Sequence, residues 1–156
     1  MIGNIRNGTD SMATDEYRRL IRHGAVIFLL ANVSGWVLLA APLRNPRMML
    51  ATHIAALFGA LLMMAVGMLG PQLDAGVKAR AVLVWSLLVS QYAFVGSGVY
   101  AAVMGTSSMF AGPAGARGTE AQETVAIAGN AAGIVGSTAA AIVLVWSLRG
   151  GRPSPR

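Results

Sequence analysis

The sequence predicts an all-α integral membrane protein, a four-helix up-down bundle with both termini in the cytoplasm. Three observations carry that prediction. Hydrophobic residues fill 55% of the 156 positions, charged residues only 12%, and the mean hydropathy is positive. A soluble domain of this length carries about a quarter charged residues. Cys is absent, which excludes disulfides, iron–sulfur clusters, thiolate-ligated haem and a Cys-x-x-Cys-His attachment. Any bound metal must then use His, Tyr, Met or carboxylate. The net charge is +6, yet the 12 cations lie almost entirely outside the apolar runs. They read as topology signals and headgroup contacts to a lipid bilayer, and nucleic acid is not an expected partner.

The elements follow in chain order. Residues 1–16 mix Gly, Asn, Thr, Asp and Ser without periodicity and read as a flexible tail, with no apolar core or cleavage site of a signal peptide. The membrane domain occupies residues 17–150 and the C-terminal tail residues 151–156. The first span, Ala25 to Leu43, follows the basic run Arg18-Arg19-Leu20-Ile21-Arg22-His23. The second, Met48 to Gly70, is closed by Pro71, which cannot continue a helix ladder. The third, Ala81 to Met104, follows Lys78 and Arg80, and the fourth, Thr124 to Leu148, is followed by Arg149. Residues 105–123 are rich in Gly, Ser, Ala and Pro and form the only loop long enough to fold back over a site.

Cation counts set the orientation. Arg6, Arg18, Arg19, Arg22, Lys78, Arg80, Arg149, Arg152 and Arg156 lie on one side, against Arg44, Arg47 and Arg117 on the other. The positive-inside rule then places both termini in the cytoplasm, in a bacterial cytoplasmic membrane.

The second span contains His53 as its sole ionisable group. An ionisable side chain inside a bilayer is costly, and marks a functional site by default. Two readings stay open: a metal or substrate ligand, or a neutral imidazole hydrogen-bonded to a neighbouring helix. At 1.5 Å per residue, His53 lies about 8 Å below the outer surface, Tyr100 about 6 Å and Asn130 about 9 Å. Three helices thus bring three polar side chains to one level. Gln91 and Tyr92 lie lower, near mid-membrane, where the Gln91 amide needs a partner. His23 sits some 20 Å from His53 in depth, too far for both imidazoles to clamp one iron within a subunit. The run Gly129 to Ala141 presents small residues at spacings that let a helix approach closely, within the chain or between subunits. The many Met residues, among them Met48, Met49, Met63, Met64 and Met68, read as adaptable core filler.

Several segments resemble the hydroxylaminobenzene mutases: Asn45-Pro46-Arg47-Met48, Leu50-Ala51-Thr52-His53 and Gly67-Met68-Leu69-Gly70-Pro71-Gln72-Leu73. Gly118-Thr119-Glu120-Ala121-Gln122-Glu123 and Trp146-Ser147-Leu148-Arg149-Gly150 extend the likeness over residues 18–150. A more distant resemblance, to styrene oxide isomerases, runs through His23-Gly24, His53 and Lys78-Ala79-Arg80.

The resemblance implies a homotrimer holding haem b between subunits, with His53 as axial iron ligand. Ferric iron then acts as a Lewis acid on the oxygen of a small aromatic or otherwise N-oxygenated substrate. The implied reaction is the rearrangement of an aryl-NHOH to an aminophenol. Tyr100 would hydrogen-bond or protonate that oxygen and Asn130 would orient the substrate, with Tyr92 and Gln91 as further candidates. Two positions depart from the family pattern. Gly59 stands where an Asn is usual, and Tyr92-Ala93-Phe94 replaces an aromatic-Ala-Asn triplet. Epoxide isomerisation, or nitrogen–nitrogen bond or diazo formation, are the alternative chemistries. A non-enzymatic haem-binding or electron-transfer subunit is the alternative outside enzymes.

Overall fold

The computed structural model describes the backbone of residues 3–73, 75–106 and 117–149, and side chains from residue 14 onward. Four helices follow in order: α1 Gly3–Ala40, α2 Pro46–Leu69, α3 Val77–Met104 and α4 Glu120–Arg149. A 3-10 turn at Gly70–Gln72 extends α2 through Pro71. Each helix is long and apolar enough to cross a membrane, and the described residues contain no strand. The expected four-helix architecture is present.

Each helix starts before the apolar stretch that marks it, whereas α1 ends at Ala40, short of the expected Leu43, because Pro42 follows. The α1 backbone is helical from Gly3, inside the segment that composition suggested as a tail. Pro42 is the first proline, and polar residues alone do not break an i to i−4 ladder. Similarly α3 begins at Val77 and takes Lys78 and Arg80 into its first turns. Hydropathy marks the membrane core, whereas backbone hydrogen bonding runs on to a cap. Of the loop expected at residues 105–123, residues 120–123 form the first turn of α4, and residues 107–116 lie outside the described residues, as does the C-terminal tail.

Two of the sequence motifs are helix starts. Asn45 caps α2: its Oδ1 accepts from Met48 N at 3.2 Å, and Pro46 takes the first helical position. The same residue is fully buried and ties the α1–α2 loop to the end of α3. Its backbone N–H donates to Ala102 O at 3.0 Å and its Nδ2 to Thr106 O at 2.9 Å. At α4, Thr119 and Gln122 exchange side-chain and backbone hydrogen bonds at 3.3 and 2.8 Å, a capping box.

Neighbouring helices run antiparallel, as the steric register records. An added Cβ at Gly67, Gly24 or Gly35 of one helix would meet Ile21, Met64 or His53 of the other, in falling order along the α1–α2 pair. On α4 the small residues face inward to α3: Gly129 meets Ser97, Gly133 the Phe94 ring, and Gly136 Ser90 and the Ser86 carbonyl. That stripe is therefore used within the chain. Small residues let backbones close up where lipid supplies no hydrophobic drive for association.

The bundle is open. Helix α3 is the hub, touching α1, α2 and α4, while α4 approaches α3 alone. Half of α3's most apolar window is buried (50%), against 17% for α4. The main core joins Leu20 and Ile27 of α1, Ala56 and Met63 of α2, and Leu83 and Leu87 of α3. A second cluster at the other end joins Met48, Met49, Ala101, Ala102 and Ala126. Met48, Met49 and Met63 are buried filler, whereas Met68 is exposed. Because α2 and α4 do not meet, a cleft remains between them.

Candidate functional site: a histidine on the α1–α2 seam

His53 turns toward α1. Its Nδ1 lies 2.7 Å from the carbonyl oxygen of Ala31, 22 residues earlier in the chain. A carbonyl only accepts, so Nδ1 carries the proton and donates, which leaves the lone pair on Nε2. The hydroxyl of Ser34 donates to the same carbonyl at 2.7 Å. Gly35 makes room for the ring: a Cβ there would sit 3.0 Å from Cε1 and 3.1 Å from Nδ1. The imidazole is half-buried, and Leu50 and Ile54 beside it on α2 are exposed. One nitrogen is thus satisfied by the neighbouring helix, and Nε2 has no hydrogen-bond partner among the described residues. A backbone carbonyl on one nitrogen is how proteins fix the tautomer of a metal-binding histidine. Among the described residues no three His, Asp or Glu side chains gather into a metal cage.

Tyr100 and Asn130 share the level of His53. Thr52, next to His53, packs on Gly98 of α3, and Ser97 beside Gly98 bonds Asn130 of α4. They do not share its face. Tyr100 is half-buried against the cluster containing Met49, one turn of α2 from His53, and its hydroxyl has no partner among the described residues. Asn130 lines the cleft between α2, α3 and α4 with Thr52 and Ala55, so it stands across α2 from the His53 ring.

Gln91 and Tyr92 lie deeper, as expected, and serve separate contacts. The Gln91 side chain is 7% exposed and its carboxamide lies over Gly59, where a Cβ would collide with Oε1. The position that lacks the usual Asn is therefore filled by an amide from α3. Tyr92 is exposed, and its hydroxyl lies 2.8 Å from Nδ1 of His23, edge-on to the ring. Arg19 stacks over Trp85 at 5.7 Å, and Glu16 pairs with Arg80, so this end of the α1–α3 contact is a polar clamp.

Sequence reasoning did not find Gly35, Ser34, the Ala31 carbonyl or Ser97. The findable signal was register: a glycine on α1 falls opposite the one intramembrane histidine once the antiparallel pair is aligned.

These features define a class: a four-span helical membrane protein that presents one tautomer-fixed histidine on an apolar seam. The chain belongs to the styrene oxide isomerase family, whose sequence model matches residues 16–149. It is also 35% identical over 63 residues to hydroxylaminobenzene mutase HabB of Ectopseudomonas oleovorans. That match covers 40% of this chain and 37% of the mutase. No solved structure matches. Both names point to isomerase or mutase activity, at distant identity to the mutase.

Proposed function

We propose that this protein is a haem b-dependent membrane isomerase that converts a small aromatic hydroxylamine to an aminophenol. The observation that carries the reading is the Nδ1–H bond of His53 to Ala31, which leaves Nε2 without a partner and able to ligate a metal. The residues present fit haem: a neutral imidazole, a glycine clearing its ring, and exposed apolar side chains beside it. His53 would hold the iron. Bound there, haem supplies Lewis acidity toward the substrate oxygen and no net redox change.

The chain itself would do the rest. Leu50, Ile54 and the outer face of α1 exclude water from the seam, limiting solvent capture of a cationic intermediate. Tyr100 lies off the His53 face within one chain, so its hydroxyl, without a partner among the described residues, would hold a proton for a substrate oxygen bound between neighbouring subunits. The product is an isomer, so no co-reactant is needed. Three-fold assembly, with both termini cytoplasmic in a bacterial cytoplasmic membrane, belongs to the same proposal. The assembly draws on the resemblance to the styrene oxide isomerase family, and the orientation on the cation distribution.

A second reading, isomerisation of an aryl epoxide, is favoured by the name of the matching family. Turnover assays separate the two. Purified protein given phenylhydroxylamine should release aminophenol faster than it consumes styrene oxide. The reverse order selects the epoxide reading, and haem-loaded protein inert to both overturns isomerase function.

A further inference from the structure

The cleft between α2 and α4 holds an unclaimed hydrogen-bond donor. It encloses about 230 Å³ and is lined by Met48, Thr52, Ala55, Phe94, Gly98 and Asn130, almost all of it apolar surface. Asn130 is only 6% exposed. Its Oδ1 accepts from the Ser97 hydroxyl at 3.2 Å, a hydrogen shared with the Phe94 carbonyl at 3.3 Å, and its Nδ2 is buried with no acceptor among the described residues. The Thr52 hydroxyl cannot serve as a second donor, because its hydrogen is committed to Met48 O at 2.7 Å. A buried N–H without an acceptor is costly in hydrocarbon, so the site is built for a guest that accepts. The Phe94 ring and the Met48 thioether suit an aromatic guest, and the volume suits a single substituted ring.

We propose that this cleft binds a small aromatic molecule carrying an acceptor oxygen next to the ring, with Asn130 Nδ2 as its donor. The site stands across α2 from His53, so it does not depend on a cofactor at that residue. It gives the chain an aromatic site apart from the α1–α2 seam.

The test uses full-length protein in detergent and fluorine NMR titration with two probes. 4-Fluoroacetophenone offers the acceptor oxygen, and 1-ethyl-4-fluorobenzene lacks it. The ketone should bind saturably and roughly tenfold more tightly than the hydrocarbon, the worth of one buried hydrogen bond. Asn130→Leu should bring the two affinities together. Ala55→Phe should abolish both, and Ala51→Leu at the same rim serves if Ala55→Phe lowers helicity. His53→Ala should change neither, which keeps this result separate from the fate of the haem proposal. Equal binding of the two probes by the unaltered protein, as an acyl-chain groove would give, overturns the inference. So does ketone binding that survives Asn130→Leu and both filling variants, or that disappears with His53→Ala.

Discussion

His53 and Ala31 are joined across the α1–α2 seam by one hydrogen bond of 2.7 Å, and the direction of that bond decides what the histidine can do. With the proton on Nδ1, the free lone pair is on Nε2, beside the exposed apolar side chains of Leu50 and Ile54. The reversed tautomer would leave two acceptors facing each other, so the carbonyl selects the tautomer whose Nε2 could ligate a metal.

The ring's seat depends on Gly35. A Cβ there comes within 3.0 Å of His53, close enough for Ala to be absorbed by a small shift and too close for a branched side chain. Gly35→Val should lower haem affinity at least about tenfold, with helicity unchanged by circular dichroism. Gly35→Ala should retain most of it. Equal affinity in the Val variant and the unaltered protein would contradict the seat.

The Gln91 amide and Gly59 share one volume. Gly59→Asn, which installs the residue the resemblance leads one to expect there, should destabilise the protein by about 1–3 kcal/mol through overpacking. Adding Gln91→Ala should recover most of that loss. A double-mutant cycle in detergent unfolding measures the coupling, and additive effects would show that the amide does not occupy the space over Gly59.

On the α1–α3 contact, Tyr92→Phe removes the bond to His23. Hydrogen bonds between membrane helices are worth about 0.6 kcal/mol on average and up to about 1.7. The variant should lose stability of that order and keep its full haem content. Loss of haem would instead tie the His23–Tyr92 clamp to the cofactor.

Tyr100→Phe keeps the ring packed against the Met49 cluster and deletes only the hydroxyl. Haem content should stay constant while turnover of phenylhydroxylamine falls, by about 10²–10⁴-fold if the hydroxyl delivers a proton. An unchanged rate removes Tyr100 from the chemistry.

The helix count and the membrane class were legible because an apolar run of some twenty residues has a single physical interpretation in a bilayer. Depth was legible too, since rise per residue is fixed, and it set His53, Tyr100 and Asn130 at one level. Azimuth was not. Which face of α2 meets α1 depends on close contacts such as Gly24 against Met64, and no local pattern announces a partner helix. For the same reason Gln91 and Gly59, 32 positions apart, read as two separate oddities in the sequence rather than as one exchange of volume. The motifs that carry the family likeness proved partly architectural: Asn45 and Thr119 are caps, and what they contribute is where α2 and α4 begin.

The most direct test of the central claim is the visible spectrum of the detergent-solubilised protein with and without its intramembrane histidine. The unaltered protein and His23→Ala should both show a Soret band with bound iron near one haem per chain. His53→Ala should lose the band while keeping its helicity. A colourless unaltered protein after expression with ample haem, or a Soret band that persists in His53→Ala, would contradict the account.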